Sequence, residues 1–151
     1  MVRQTTALPT IGWREWVSLP RLGVEQIKVK VDTGARTSSL HAFNLEYYRR
    51  SGQIYVHFAI HPFQRDDSEI IETSARLLEK RRVRDSGGKT TLRPVICTPL
   101  RIGSLTWEIE LTLINRSEMG FRMLLGRQAV RNQLLINPGK SYLLGKKGVR
   151  K

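Results

Sequence analysis

The chain has 151 residues, of which 40% are hydrophobic and 26% charged, so it can fold as one globular domain but not as two large ones. It has no apolar run that could span a bilayer, no secretory signal pattern at its amino terminus, and only one cysteine, which excludes an internal disulfide. We therefore expect a cytoplasmic protein without a membrane partner.

The formal net charge of +13 has two explanations. The excess can be a solvated surface with a disordered basic tail, or it can bind acidic substrates or nucleic acid. The densest basic segments are 80–84 and 146–151. Neither contains the interleaved aromatic residues on which single-stranded bases stack, so nucleic acid is not expected as a partner.

In chain order, alternating apolar residues predict strands at 26–31, 54–60 and 105–113. The acidic segment 66–69 indicates a loop, and segment 75–82 is ambiguous. A turn at Gly103-Ser104 indicates a hairpin, residues 127–132 a short helix, and the Asn-Pro-Gly-Lys segment 137–140 another turn. Short strands separated by turns predict an all-β barrel or sandwich.

Several isolated side chains could carry chemistry, but each has a simpler interpretation. Cys97 follows strand-like residues, which predicts a buried, unreactive thiol. His57 and His61 lie four apart on a predicted strand and would share one face without a third ligand, so solvated or stacking histidines are favoured and no metal is expected. His41 is interpreted as a structural residue that forms local hydrogen bonds.

The strongest motif is Asp32-Thr33-Gly34, at the end of the first predicted strand. A glycine there lets backbone amides approach the carboxylate, and a threonine can hydrogen-bond to a second copy of the loop. Two such carboxylates would share one proton, one acting as a base on water and the other polarising a carbonyl. The alternative is an Asx-type turn between two strands.

Together with a second segment, this motif resembles the retropepsin family of aspartic proteases. The segments are Asp32-Thr33-Gly34-Ala35 and, further on, Leu124-Leu125-Gly126-Arg127. The resemblance is closer to a bacterial and archaeal group labelled ATP-dependent zinc proteases, or associated with RimK-type glutamate ligases. Its hallmarks here are segments 11–15, 30–42, 93–95 and 123–127.

The resemblance implies a retropepsin-like acid-protease barrel with one short C-terminal helix over residues 11–144, an N-terminal extension at 1–10 and a basic tail at 145–151. It implies catalysis by Asp32, Thr33 and Gly34, and structural support from Leu124, Leu125, Gly126 and Arg127. Substrate would meet Ala35, Arg36 and a glycine-tipped flap. The flap residues are Asp85, Ser86, Gly87 and Gly88.

A chain with a single Asp-Thr-Gly implies a homodimer, for which residues 141–144 are a candidate interface strand. The chain contains neither a His-Glu-x-x-His motif nor a glycine-rich phosphate loop, so no cofactor is expected. Arg36 stands where retropepsins commonly have an acidic residue. It either pairs with a nearby carboxylate or binds an acidic substrate side chain.

These observations predict an aspartic peptidase that acts on peptides or proteins, acidic or glutamate-rich ones included, with a functional link to a RimK-type ligase. The alternative is a non-catalytic module of the same fold that binds acidic protein or nucleic acid through its basic surface.

Overall fold

The computed structural model describes residues 7–116 and 120–145, and within these ranges nearly all regular structure is β-strand. The first strands are β1 Thr10–Gly12, β2 Arg14–Leu19, β3 Val24–Asp32, β4 Ser38–His41, β5 Phe43–Arg50 and β6 Gln53–Ile60. They are followed by β7 Ile71–Arg76, β8 Glu79–Arg84, β9 Thr90–Ile102, β10 Leu105–Ile114, β11 Met123–Gly126, the helix α1 Arg127–Val130 and β12 Leu135–Asn137. Residues 146–151 of the predicted tail and residues 1–6 of the predicted extension lie outside the described residues.

Seven strands form the main sheet, in the order β10-β4-β11-β3-β2-β9-β8. Strand β10 also pairs along most of its length with β9, so the sheet closes into a ring. Closure satisfies the backbone hydrogen bonds that an open edge would leave unpaired. Over the described residues the fold is therefore an all-β, retropepsin-like barrel with one short α-helix, as the sequence predicts.

One strand of the barrel has an unusual position. Strand β11 lies between β3, to which it runs parallel, and β4, to which it runs antiparallel. The loop that joins β3 to β4 must therefore pass around the end of β11. This arrangement fixes both ends of the loop that begins at Asp32.

A smaller three-stranded sheet, β5-β6-β7, packs against the barrel. Its apolar residues Val56, Phe58 and Ile60 alternate along β6 and are fully buried in the same core as Ile27 and Leu111. The strand predicted at 54–60 thus contributes one face to the core. Among the described residues, no helix is long and apolar enough to cross a membrane.

One local prediction was left open by the sequence, and another differs from the structure. The ambiguous segment 75–82 belongs to the end of β7 and the start of β8, with no helix. The prediction that Cys97 is buried was wrong, because Cys97 lies between buried Ile96 and Thr98 on β9 and so faces outward. Neighbouring residues still cover part of the thiol, and this partial desolvation, followed by the negative charges of Glu110 and Glu108, raises the pKa of Cys97.

The end of the described chain is held by the completely buried carboxylate of Glu15 on β2. Glu15 accepts hydrogen bonds from the backbone N–H groups of Gly12 at 2.7 Å, Leu143 at 2.8 Å, Leu144 at 3.0 Å and Gly145 at 2.6 Å. Segment 141–144 is thereby fastened to β2 of its own chain. The N–H groups of Leu143 and Leu144 are thus not free to pair with a second subunit.

Candidate active site

Asp32 is the last residue of β3 and the first of an exposed loop. Its side chain is partly buried, and its Oδ1 accepts a hydrogen bond from the Gly34 N–H at 3.2 Å. Its backbone oxygen accepts a hydrogen bond from the Ala35 N–H at 3.1 Å. The loop therefore curls around the carboxylate, while Thr33 and Gly34 remain exposed at its tip.

Strand β11 supports this loop from within. Leu125 is paired with Val31 and Gly126 with Asp32, so the Leu-Leu-Gly segment runs beside the strand that carries the aspartate. The Gly126 N–H donates to Ser38 Oγ at 3.0 Å on the other side. Both arms of the aspartate loop are thus fixed to one short strand.

Helix α1 completes the support. The Arg127 guanidinium donates to the carbonyl oxygens of Thr33 at 3.3 Å and Gly34 at 3.2 Å. The backbone N–H groups of Arg127 and Gln128 donate to the carbonyl oxygens of Ala35 and Arg36, at 2.9 Å and 3.1 Å. The side chain of Arg127 therefore holds the tip of the aspartate loop by two hydrogen bonds, as a residue that supports the loop would.

Arg36 is exposed, and in the part of the chain that the structure describes its side chain forms no hydrogen bond or ion pair. The first interpretation of Arg36, an ion pair with a neighbouring carboxylate, therefore has no support among the described residues. Its guanidinium faces solvent beside the aspartate loop.

The predicted flap is the hairpin formed by β8 and β9. At its tip, Asp85 Oδ1 accepts hydrogen bonds from the N–H groups of Gly87 and Lys89, each at 3.0 Å, and Gly88 adopts the left-handed φ of 85°. Ser86, Gly87 and Gly88 are exposed. Within the described residues, no hydrogen bond joins this tip to the aspartate loop.

The hairpin contacts the aspartate loop at its base, through a residue that the sequence did not single out. Arg81 on β8 donates to Thr37 Oγ1 at 3.2 Å and forms ion pairs with Glu110 at 2.9 Å and Glu79 at 2.5 Å. Thr37 and Glu110 lie far from Arg81 in sequence, and the pairing of β8 with β9, of β9 with β10 and of β10 with β4 brings them together. No sequence pattern could have indicated this contact.

The histidines lie elsewhere. His57 Nδ1 is 2.9 Å from Ser74 Oγ, whereas β6 ends at Ile60, so His61 does not share a strand face with His57. The His61 ring instead packs against Phe43 with its plane tilted by 31°, the ring centroids being 4.4 Å apart. His41 is buried, and its Nδ1 accepts a hydrogen bond from the Arg116 N–H at 3.0 Å. Among the described residues, no three His, Cys, Asp or Glu side chains are grouped so that they could hold a metal ion.

A closed β-barrel in which an apolar strand is threaded through an Asp-Thr-Gly loop, with a hairpin paired alongside, defines a retropepsin-like domain. The chain contributes one such loop, which is half of the paired arrangement expected for that class.

Residues 10–147 match the sequence model of the RimB-like family, described as retropepsin-like aspartic endopeptidase RimB. The chain belongs to this family.

Curated relatives are longer proteins. The chain is 44% identical over 138 residues to a probable alpha-L-glutamate ligase of Shewanella pealeana, covering 91% of this chain and 30% of that protein. It is 47% identical over 135 residues to a protein of the same name from Parasynechococcus marenigrum, covering 89% of this chain and 29% of that protein. The chain thus spans about a third of the length of these relatives.

Among solved structures, a Legionella pneumophila protein of unknown function has a similar fold. The two superpose with a TM-score of 0.78 over 91% of this chain and 98% of the other, at 22% sequence identity. At this identity the similarity concerns the fold alone.

Proposed function

We propose that the protein is an aspartic peptidase whose active site forms when two copies bring their Asp32 carboxylates together. The observation that carries the proposal is the position of Asp32, in a loop braced by β11 and Arg127 while its tip stays exposed. A loop fixed from below and open above can face a second copy. The chain has one Asp-Thr-Gly, so the second carboxylate must come from that copy.

The chemistry follows from two carboxylates that share a proton. The ionised Asp32 takes a proton from a water held between the two, and the water oxygen attacks the carbonyl carbon of the peptide. The protonated Asp32 of the other copy donates its proton to the carbonyl oxygen. As the resulting tetrahedral intermediate collapses and the C–N bond breaks, the leaving nitrogen takes the proton that the first Asp32 removed from water, and one hydroxyl of the intermediate returns a proton to the other Asp32.

Acidic or glutamate-rich peptides are the proposed substrates. The net charge of +13 and the exposed Arg36 beside the loop, which has no partner within residues 7–116 and 120–145, favour an anionic ligand. The relatives that contain this domain are named probable alpha-L-glutamate ligases, which supports a link with glutamate chemistry and with a RimK-type ligase as a functional partner. A cytoplasmic location stays part of this proposal.

The test is a cleavage assay. A diverse peptide library that includes glutamate-rich members is incubated from pH 4 to pH 8 with the wild-type protein, with Asp32→Asn, and with Asp66→Asn as a control in the exposed acidic loop. We expect cleavage by the wild type and the control, and none by Asp32→Asn. Equal activity of all three, or no cleavage by the wild type, would contradict the proposal.

A second candidate function is binding of a polyanion without catalysis, and one surface favours it. The Lys80 ammonium lies 4.5 Å from the centre of the Tyr47 ring. The Tyr48 and Tyr55 rings, whose centres are 5.5 Å apart, lie on the opposite face of the sheet and are not part of this surface. Tyr47 is 44% exposed. The basic segment 80–84, which contains no aromatic residue of its own, thus has one beside it in the folded chain, a combination that suits stacked bases and phosphates.

This candidate predicts salt-sensitive binding of single-stranded RNA, measured by fluorescence anisotropy. Tyr47→Ala with Lys80→Gln would weaken the binding, and Asp32→Asn would leave it unchanged. Absence of RNA binding at low salt would exclude this candidate without affecting the peptidase proposal.

A further inference from the structure

Arg93 on β9 is a buried cation that lacks a carboxylate partner among the described residues. Only 6% of its surface is exposed. In that part of the chain its one side-chain hydrogen bond runs from Nε to Thr91 Oγ1, at 2.9 Å, and no carboxylate lies within ion-pair distance. Buried charges are normally paired because desolvation is costly. The outer edge of this guanidinium is therefore available to an anion.

The register of the hairpin shows which face carries this side chain. Arg93 is directly opposite Arg81, so the two side chains project from the same face. Arg81 reaches Thr37, which follows the aspartate loop. Arg82 and Leu92, the next pair along, are exposed on the other face. Arg93 therefore belongs to the hairpin face that is turned toward the aspartate loop.

The two arginines of this face differ in their electrostatic partners. Arg81 is neutralised by Glu79 and Glu110. Among the described residues Arg93 has no such pair. Burial together with the nearby charge of Arg116 lowers its pKa, against the weaker opposite effect of Asp85. A bound carboxylate would compensate the unpaired charge, and a guanidinium can bind it with two parallel hydrogen bonds.

We propose that the Arg93 guanidinium binds a carboxylate of the substrate peptide beneath the β8–β9 hairpin. This subsite rests on the proposed peptidase function and deepens it, since it names the group that selects acidic substrates. The carboxylate can be that of a glutamate side chain or of a peptide C terminus, and the experiment separates the two.

The experiment measures peptide binding by calorimetry in the Asp32→Asn background, where no cleavage can occur. Three octapeptide probes are compared: one with four central glutamates and both ends blocked, its glutamine counterpart with both ends blocked, and the glutamine peptide with a free C terminus. We expect Arg93→Gln to weaken binding of the carboxylate-bearing probe at least about tenfold, and to change binding of the blocked glutamine peptide less than about twofold.

The matched control is Arg82→Gln, which removes the same charge from the adjacent position on the outer face of the hairpin. We expect it to change the affinity for the acidic probe less than about threefold, and we expect this small change to disappear at high salt. Arg93→Lys keeps the buried charge but not the two-pronged geometry, so it should fold and bind the acidic probe with intermediate affinity. It also keeps the test decisive if Arg93→Gln does not fold.

Three results would overturn the subsite: no binding of any carboxylate-bearing probe to the parent protein, equal weakening of acidic and blocked neutral probes, or Arg82→Gln as harmful as Arg93→Gln. Because the assay measures binding, failure of the peptidase proposal is recognised separately. In that case the wild type would not cleave the acidic probe although Arg93-dependent binding persisted.

Discussion

Gly126 lies directly opposite Asp32 where β11 runs parallel to β3, and the other side of Gly126 is closed by the backbone of the returning loop. A Cβ atom at this position would lie 2.6 Å from the carbonyl carbon of Thr37 and 2.8 Å from the Ser38 nitrogen. The glycine of the Leu-Leu-Gly segment is therefore required by space, because the aspartate loop passes over it.

Gly126→Ala should accordingly displace the loop. We expect a loss of stability of about 2–4 kcal/mol, because backbone atoms cannot move aside as a flexible side chain can, together with loss of peptidase activity. Chemical unfolding measures the stability. Gly139→Ala is the control, since its Cβ would meet only Asn137 Oδ1 at an ordinary 3.5 Å. Equal effects of the two substitutions would contradict this explanation.

We expect Arg81 to fix the position of the β8–β9 hairpin relative to the aspartate loop through its hydrogen bond to Thr37. Arg81→Gln removes the hydrogen bond to Thr37 and leaves Glu79 and Glu110 without their cation. We expect activity to fall about tenfold, mainly through kcat, because a small misplacement of catalytic groups is costly. Steady-state kinetics with an acidic peptide would measure the change. Activity equal to that of wild type would show that the contact has no role in catalysis.

Glu15 should contribute mainly to stability. Its carboxylate accepts four backbone N–H bonds with no exposure to solvent, and Glu15→Gln would replace an acceptor by an amide donor that opposes some of those N–H groups. We expect destabilisation of about 3 kcal/mol by denaturant unfolding. Hydrogen exchange of the amides of Leu143 to Gly145 should speed up. An unchanged exchange rate there would show that the carboxylate does not hold this segment.

His41 should make stability depend on pH. Burial, and then the charges of Arg122 and His61, lower the pKa of His41 in the folded state, against smaller opposite effects of the Ile114 backbone and Asp67. Between the ordinary pKa of 6.5 and the lower pKa of folded His41, the unfolded chain therefore binds a proton that the folded chain does not, and stability falls as the pH falls through this range.

Denaturant midpoints at pH 7.5 and pH 5.5 would test this dependence. His41→Gln keeps an acceptor for the Arg116 N–H. It should reduce the loss of stability by up to about 1.4 kcal/mol per pH unit. A variant that loses as much stability as the wild type over this interval would contradict the assignment to His41.

Local patterns predicted the parts of the fold that depend on a single segment. The alternation at 26–31, 54–60 and 105–113 appears as β3, β6 and β10. The Asp-Thr-Gly and Leu-Leu-Gly motifs were recognisable because each consists of adjacent residues in one short segment. The resemblance implied that the two motifs are neighbours in space. The parallel pairing of β3 with β11 shows this contact, with Gly126 opposite Asp32.

Features that depend on contacts between distant segments could not be predicted. Arg81 lies within a basic run, and only the folded chain distinguishes its inward side chain from that of exposed Arg82. Cys97 was placed inside from the apolar residues that precede it, whereas the alternation along β9 turns it outward. His61 was assigned to a strand that ends one residue earlier.

The central claim, that two Asp32 residues form one site, is tested most directly by mixing active and inactive subunits. Wild type and Asp32→Asn are mixed in equal amounts, allowed to exchange subunits, and assayed on a glutamate-rich peptide. If each site needs both carboxylates, only the pure wild-type dimers are active, so activity falls to about a quarter of that of wild type at the same total concentration. If activity falls only to about half, each chain works alone and the shared site is contradicted.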